Sequence, residues 1–452
     1  MRSFVLRPGS VALQLLGAVL LCVFCAMVVV PAAAAVQIQK VTAGGVEAWL
    51  VEDHANPIIS VRIAFRNAGS AIDPPDKAGL SRMVAALLDE GAGDLDSQAF
   101  QAKLEDLAIR LSFDADRDNF GGTLTTLTAN REVAFQLLRL ALTQPRFDAE
   151  PMARIRSQLE AQLRREAEDP EARASRQLWA TLFPDTPYGR PVMGTAESLP
   201  RISRNDLLRF VRERLARDTL VLGVVGDVTP AELTTLLQQS FGGLPEKAVS
   251  ATLGDMSLAG SGRTVVVDMD VPQSAVAFAQ RGLKRDDPRF YALTVLNQIL
   301  GGSGLSSRLF DEVREKRGLV YGVYTSPVPL DHAALILGGA GTANERVEET
   351  LSVIRQVWRD FAEHGASAKE LADAKTFLTG SFPLRFAGSS RLAGLLTSIQ
   401  LENLGIDYLD RRNQLIESVS LDDVNGLANQ LLSADALTFV IVGRPQGLTT
   451  SR

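Results

Sequence analysis

The sequence predicts an α+β fold built from two similar, duplicated domains, each a mainly antiparallel sheet packed by helices. The first observation is an internal repeat, because residues 201–228 align without gaps on residues 418–445 at a constant offset of 217 positions. The second observation is the order of patterns in each half, where strand-like runs come before long helical runs. Strands grouped ahead of helices are typical of α+β domains and not of a doubly wound sheet.

Each copy of the repeat has the pattern of one helix followed by one buried strand. Ser203 and Ser420 are expected to cap the N-termini of the two helices. Three positions later come Asp206 and Asp423, which resemble the second member of a capping box with Asp in place of Glu or Gln. A continuous apolar strand that ends at a glycine follows each helix. The offset is too long for a solenoid and suits two duplicated domains.

The two predicted domains span residues 36–250 and 251–452, and they join in a segment of weak periodicity. Apolar or alternating runs predict strands, and amphipathic runs predict helices. In the first half, the strands are predicted at 47–51, 58–65, 111–116 and 120–128, and the helices at 78–88, 97–108, 130–143 and 149–168. In the second half, the strands are predicted at 264–268, 274–280, 321–327 and 333–339, and the helices at 288–299, 344–364 and 368–381.

The first 35 residues have the pattern of a secretory signal peptide. Arg2 and Arg7 precede an apolar run over 11–30, and small residues follow it up to Ala35, where we expect cleavage. The run is also long enough to span a bilayer, so an uncleaved membrane anchor is the alternative. Both cysteines of the chain lie in the run, so the mature chain needs no disulfide. We expect an exported protein, periplasmic or tethered to the membrane.

The charge balance argues against nucleic acid as a partner. The chain has 47 basic and 53 acidic residues, and loss of the signal removes two arginines, which leaves 45 against 53, or −8. No block rich in Lys and Arg, and no cluster of aromatic and basic residues, offsets this negative charge.

Several separated motifs occur in the order found in one peptidase family. Gly79 and Leu80 open a predicted helix that ends before Gly91, and the remaining motifs follow along the chain. They are Asp169-Pro170, Phe183-Pro184, residues 188–191 with Gly194, residues 224–227, and residues 309–324. From about Val46 to Arg444 the chain resembles the insulinase and pitrilysin family of zinc peptidases, in its short two-domain form. The resemblance implies a fold that forms half of a clamshell.

The zinc motif of that family does not survive here. The family carries His-x-x-Glu-His on its first long helix, where the two His hold zinc and the Glu is a general base. Alignment on the Gly-Leu pair puts Arg82, Ala85 and Ala86 at these three positions. The guanidinium of arginine stays protonated and the methyl group of alanine has no lone pair, so neither side chain can bind zinc. The resemblance therefore implies no metal at this helix.

Other sources of zinc ligands are equally poor. The family's third ligand falls near Gln162 or Leu163, and the flanking Glu160 and Glu166 are expected on exposed helix faces. The histidines have no ligand spacing and are expected at the surface or in loops: His54, His332 and His364. We expect no cofactor in this chain, and zinc in a partner subunit.

A second family motif is retained. Arg314 and Tyr321 match an Arg and a Tyr, seven positions apart, that in the family grip the substrate backbone and support the carbonyl under attack. A guanidinium makes forked bonds to oxygen atoms, and a phenol can donate to a developing oxyanion. Arg317 and Tyr324 have the same spacing, and the neighbouring Gly-Leu pair favours the first register. Taken singly, Arg314 is also explained as a surface arginine that balances nearby acids.

A glycine-rich run precedes the Arg/Tyr motif. Gly301, Gly302, Ser303 and Gly304 are expected to form a loop after a helix, and the resemblance implies that this loop borders the substrate chamber. A phosphate-binding loop is disfavoured because no P-loop lysine follows.

These features together predict one subunit of a two-subunit enzyme. The chain is expected to be the non-zinc subunit of a heterodimeric zinc metallopeptidase, in which it binds peptides or unfolded segments and joins a homologous zinc-bearing subunit. The alternative is a non-enzymatic peptide-binding or assembly scaffold with the peptidase fold. An autonomous zinc peptidase is disfavoured by the residues at the three motif positions.

Overall fold

The computed structural model describes residues 36–304 and 306–450. The predicted signal peptide, residues 1–35, lies outside the described residues. Residues Ile38–Arg452 group into one compact unit. In the described part of the chain, no helix combines the length and the apolar character that a membrane crossing needs.

The first half of the chain forms a six-stranded sheet. Strand β2 pairs with β6 in parallel, and the other neighbouring strands are antiparallel. The order across the sheet is β1-β2-β6-β3-β5-β4. The strands are β1 (Gln39–Ala43), β2 (Val46–Glu52), β3 (Ile58–Phe65), β4 (Arg110–Ala115), β5 (Phe120–Leu127) and β6 (Leu220–Gly226).

The second half repeats this sheet without its first strand. The order is β7-β11-β8-β10-β9, which matches β2-β6-β3-β5-β4 strand by strand. Here too one pair, β7 with β11, is parallel and the others are antiparallel. The strands are β7 (Thr264–Asp268), β8 (Gln273–Arg281), β9 (Val320–Pro329), β10 (Ala334–Ala343) and β11 (Thr438–Gly443). The predicted α+β class and the duplicated, mainly antiparallel sheets are confirmed.

In both halves helices lie between the strands, and the longest helices come before the last strand. Those of the first half are α1 (Leu80–Ala85), α2 (Ser97–Asp106), α3 (Arg131–Thr143), α4 (Ala149–Glu168), α5 (Pro170–Leu182), α6 (Arg204–Arg214) and α7 (Pro230–Phe241). Those of the second half are α8 (Phe290–Gly301), α9 (Val347–His364), α10 (Ala368–Gly380), α11 (Ser389–Leu401), α12 (Tyr408–Glu417) and α13 (Leu421–Leu431). The boundary predicted near residue 250 stays a prediction.

The predicted capping boxes are present in both copies of the repeat. The Ser203 side chain accepts the backbone N–H of Asp206, and the Asp206 carboxylate accepts the backbone N–H of Ser203. Ser420 and Asp423 make the same pair of bonds at the start of α13. Aspartate therefore replaces the usual Glu here without loss of either bond.

The two halves exchange one helix each. Helix α5 of the first half packs on β8 and β11 of the second sheet, and α11 of the second half packs on β3 and β6 of the first sheet. Gly223 of β6 permits the second contact, because a Cβ at this position would lie 2.3 Å from the carbonyl oxygen of Ala393. The Gln400 side chain of α11 also donates to the carbonyl of Leu222 at 2.9 Å.

The predicted helix over 78–88 is shorter in the structure, where α1 has only six residues. The buried Asp73 carboxylate accepts the backbone N–H groups of Gly79 and Ser81, which fixes the start of the helix at Leu80. After Ala85 the chain continues as turns, and the apolar residues beyond it are buried without helical structure.

Candidate functional site

The three positions predicted to correspond to the zinc motif, Arg82, Ala85 and Ala86, lie within α1 and directly after it. Ala85 is buried, and Ala86 is the residue that ends the helix. The Nε atom of Arg82 is buried with no hydrogen-bond partner. Among residues 36–304 and 306–450, no group of three or more His, Cys, Asp or Glu is placed to hold a metal ion. The residues at this site therefore do not fit zinc.

The position of the expected third ligand is occupied by non-ligands. The Gln162 side chain donates to Glu166 at 3.0 Å, and Leu163 is buried. Glu160 and Glu166 are both half-buried rather than exposed, because α4 packs against neighbouring elements along this length.

The three histidines lie apart from one another. His54 is exposed and its Nδ1 contacts the Asp227 carboxylate at 2.7 Å. His332 lies in the turn before β10, with its ring 6.2 Å from the ring of Tyr188. His364 is the exposed last residue of α9.

Arg314 and Tyr321 lie next to each other. The guanidinium carbon of Arg314 is 5.3 Å from the ring centroid of Tyr321 and 4.7 Å from that of Phe310. Tyr321 is 87% exposed, so its hydroxyl projects into solvent. The nearest carboxylate to Arg314 is that of Glu315, at 3.9 Å, which leaves the guanidinium without a close ion pair.

Two local features of the sequence produce this arrangement. Residues Phe310–Glu315 form a π-helical turn, with the Lys316 N–H donating to the Asp311 carbonyl at 2.9 Å. Gly318 has a φ of 58°, and its N–H donates to the carbonyl of Arg314 at 2.8 Å. A left-handed glycine ends a helical turn at low cost, so the chain enters β9 with Tyr321 beside the turn.

Arg317 and Tyr324, the other pair with a spacing of seven, make different contacts. The Arg317 guanidinium donates to both the carbonyl and the carboxylate of Glu312, at 2.7 and 2.5 Å. The ring of Tyr324 lies on the sheet above Gly339, where a Cβ would be 2.9 Å from the tyrosine hydroxyl. Arg317 is therefore engaged within its own turn, whereas Arg314 is not.

The prediction that the glycine-rich loop begins at Gly301 is wrong, because Gly301 is the buried last residue of α8, and the loop begins at Gly302. A Cβ at Gly301 would lie 2.5 Å from the Thr325 hydroxyl of β9, and one at Gly302 would lie 2.6 Å from the Cα of Gln298. Gly304 has a φ of 110°, in a region that favours glycine. Ser303 is exposed, and its carbonyl accepts the Gln298 side chain at 2.8 Å. Packing and backbone conformation account for the three glycines, and the loop's role beside a substrate stays a prediction.

A buried polar cluster between the two sheets escaped sequence analysis. The Tyr188 hydroxyl donates a short hydrogen bond to Asp118, whose other oxygen accepts the backbone N–H of Asp331 at 3.2 Å. The backbone N–H of His332 donates to the Tyr188 hydroxyl at 3.0 Å. Burial raises the pKa of Asp118 to about 6. Tyr188 stood within a motif that sequence analysis noted, but nothing in the pattern identified its partner.

Two family models match the chain side by side. The model described as insulinase (peptidase family M16) matches residues 49–196, and the model described as peptidase M16 inactive domain matches residues 201–378. The first match contains the three positions predicted to form a degenerate zinc motif, and the second contains Arg314 and Tyr321.

Curated relatives and solved structures agree with this assignment. The chain is 28% identical over 412 residues to the "Non-peptidase homolog YmxG" of Helicobacter pylori, covering 91% of this chain and 94% of that protein. It is 32% identical over 269 residues to the "Uncharacterized zinc protease Rv2782c" of Mycobacterium tuberculosis, covering 59% and 61%. A crystal structure of a peptidase M16 inactive domain from Pseudomonas fluorescens has a TM-score of 0.84 at 29% identity, covering 91% of this chain and 99% of that one.

Proposed function

Because this chain belongs to the insulinase family of peptidases, family M16, we propose that it is the non-zinc subunit of a two-chain zinc metallopeptidase. The chain fits a non-catalytic member of the family, since its motif positions hold Arg82, Ala85 and Ala86 and its described residues offer no metal-binding group. The partner in this proposal is a homologous subunit that carries the zinc.

The observation that supports the proposal is the pairing of Arg314 with Tyr321. Stability does not account for this pair, because the exposed Tyr321 buries little surface and the 3.9 Å contact of Arg314 with Glu315 is worth little at a surface. Both groups are donors, and both are free to meet an oxygen atom of a bound molecule. A peptide backbone in an unfolded segment presents such oxygen atoms.

We expect this chain to contribute hydrogen-bond donors to the reaction and not to transfer protons. The planar guanidinium of Arg314 can make two parallel N–H bonds to carbonyl oxygens of the substrate backbone. The Tyr321 hydroxyl can donate to an oxygen on which negative charge develops, which lowers the barrier if the bond strengthens in the transition state. The zinc chemistry itself would be supplied by the partner.

The alternative is a scaffold that binds peptides or assembles with other chains without catalysis. The description of the H. pylori relative as a non-peptidase homolog favours this alternative. The two functions differ in whether Arg314 affects a chemical rate, since a scaffold requires no donor at a reacting carbonyl.

Three variants of the intact complex distinguish the peptidase-subunit function from the scaffold function. Arg314→Ala should lower kcat/KM for an unstructured fluorogenic peptide by about 10²- to 10³-fold, and Tyr321→Phe by about tenfold or more, because each removes a donor to the reacting carbonyl. The zinc content of the complex should not change. Arg317→Ala is the matched control and should stay within about twofold of wild type, because its guanidinium is engaged by Glu312.

Two results would count against the proposal. Loss of assembly in Arg314→Ala would make the arginine an interface residue and remove its catalytic role. Equal effects of Arg314→Ala and Arg317→Ala would mean that the loss of surface charge, and not a specific donor, changes the rate.

A further inference from the structure

We propose that Phe310 is a positioning residue for Arg314, and that its ring orients the guanidinium toward the substrate. This inference rests on the proposed function, because it concerns the same reaction. It adds a residue that touches neither substrate nor zinc and acts through Arg314.

The geometry places the ring and the guanidinium within cation–π distance. The guanidinium carbon of Arg314 lies 4.7 Å from the centroid of Phe310, closer than to that of Tyr321. Phe310 is buried, so its ring is held by the protein, whereas Tyr321 is exposed. A guanidinium above a fixed ring is attracted to its face by the ring quadrupole. Phe310 is therefore the more rigid of the two aromatic neighbours.

Two of the three acids of the same turn are engaged by cations other than Arg314. The Lys316 ammonium contacts Asp311 at 2.8 Å and Glu312 at 2.6 Å, and Arg317 contacts Glu312 at 2.5 Å. The remaining acid, Glu315, is 3.9 Å from Arg314. The Phe310 ring therefore contacts the guanidinium in a turn rich in carboxylates, where the one carboxylate near Arg314 makes only a long contact.

Contact with a ring has a chemical consequence that an ion pair would not have. A carboxylate binds the edge of a guanidinium and occupies its N–H donors, whereas an aromatic ring contacts its face and leaves the donors free. Phe310 can thus restrict the rotamers of Arg314 while its N–H groups stay available to carbonyl oxygens. Prior orientation of this kind reduces the entropy lost when substrate binds.

The π-helical turn fixes the spacing of the two residues. Phe310 and Arg314 both lie within it, and the turn is closed by the N–H of Lys316 on Asp311 and the N–H of Leu319 on Val313, each at 2.9 Å. π-Helical turns are rare and are frequent at functional sites. Val313 and Leu319 are buried, so the backbone that carries Arg314 is anchored in the core.

The test is a double-mutant cycle on the complex of this chain with its zinc-bearing partner. Phe310→Leu keeps an apolar side chain but removes the ring, and should lower kcat/KM for an unstructured peptide by about three- to tenfold. Phe310→Tyr keeps the ring and should retain the wild-type kcat/KM. In an Arg314→Ala background, Phe310→Leu should have no further effect, because the residue it positions is gone.

The outcomes test the role of Phe310 separately from the proposed function as a non-zinc subunit. Equal losses from Phe310→Leu in both backgrounds would show a general packing role and overturn the inference. A slow Arg314→Ala with an unimpaired Phe310→Leu would also overturn it and leave the proposed function standing. A fully active Arg314→Ala would remove the proposed function and the inference together.

The intact chain alone offers an independent readout. The Nε–H proton of Arg314, assigned by its loss in Arg314→Ala, should be shifted upfield by ring current in a 1H–15N spectrum. Phe310→Leu should move it toward the position of an exposed arginine, while Phe310→Tyr should not. An unchanged resonance in Phe310→Leu would contradict the contact itself, and thermal unfolding of each variant would show that the fold is retained.

Discussion

At the scale of single residues, burial sets the protonation of three acidic side chains. Asp118 is only 8% exposed, and its carboxylate accepts the Tyr188 hydroxyl and the N–H of Asp331. Burial still dominates and raises its pKa to about 6, with the nearby Asp331 acting in the same direction. Burial likewise raises the pKa of Asp73 to about 7 and that of Asp89 to about 6.

Asp118→Asn should flatten the pH dependence of stability. The pKa of Asp118 is higher in the folded than in the unfolded chain, so its protonation stabilises the fold. This contribution is fully present below the unfolded pKa, near 4, and is lost as the pH rises through about 6. Between these pH values, the titration of Asp118 should therefore lower the free energy of unfolding of the wild type by about 2 to 3 kcal/mol. The Asp118→Asn variant should lack this decrease.

Urea unfolding at pH 4.5 and 7.5 checks this prediction. Asp94→Asn is the control, because that side chain is exposed and its loss should leave the wild-type slope in place. An Asp118→Asn variant with the full wild-type slope would contradict the assignment of this titration to Asp118.

The sequence was informative about single residues where a motif fixes their spacing. Arg314 and Tyr321 were found seven positions apart, and the structure brings their side chains together. Spacing alone could not separate them from Arg317 and Tyr324, because the contact of Arg317 with Glu312 depends on how the turn folds. Asp118 could not be found either, since its partner Tyr188 is 70 positions away and no local pattern links them.

At the scale of elements, the exchange of helices is the main feature of the fold. Helix α11 packs tightly on the first sheet at Gly223, where its backbone leaves no room for a side chain. The contact is extended by Thr397, whose hydroxyl donates to the carbonyl of Arg62 at 3.3 Å. At the end of the helix, Arg66 donates short hydrogen bonds to the carbonyls of Gln400 and Leu401. A cation at a helix C-terminus is favourable, so this end of α11 is held by charge as well as by packing.

Gly223→Ala should destabilise the fold by displacing α11. The new Cβ would lie 2.3 Å from the Ala393 carbonyl oxygen and 2.8 Å from the Thr397 hydroxyl, so the helix must shift away from the sheet. Overpacking of this kind costs about 1 to 3 kcal/mol. Thermal unfolding measures the effect.

Gly394→Ala in the same helix is the matched control. A Cβ there meets no atom within 4 Å, so alanine should stabilise α11 by about 0.5 to 1 kcal/mol through its higher helix propensity. Destabilisation by both variants, or by neither, would contradict the tight contact at Gly223.

Elements with strong local patterns were predictable, and long-range packing was not. The predicted strands over 58–65 and 264–268 and the predicted helix over 149–168 coincide with β3, β7 and α4. Their alternation, apolar runs or amphipathic periodicity come from neighbouring residues. Which sheet α5 and α11 cover depends instead on residues far away in sequence, such as Gly223, so no periodicity could indicate the exchange.

At the scale of the whole molecule, the two halves share an architecture and differ in the residues at their candidate sites. Both sheets keep the same strand order and one parallel pair, and each accepts a helix from the other half. The first half holds Arg82, Ala85 and Ala86 at the positions predicted to correspond to the family's zinc motif, and the second half holds the predicted Arg314 and Tyr321 pair. We propose that a chain divided in this way supplies substrate contacts while another subunit holds the metal.

The most direct test is peptide hydrolysis by the tagged protein purified from its own host, with zinc content and copurifying chains recorded on the same sample. We predict activity only in fractions that contain a homologous companion, with about one zinc per pair held by that companion. Activity and about one zinc per molecule in the isolated chain would contradict the complementing-subunit proposal. A sample with neither a companion nor activity would also contradict it and would favour the scaffold.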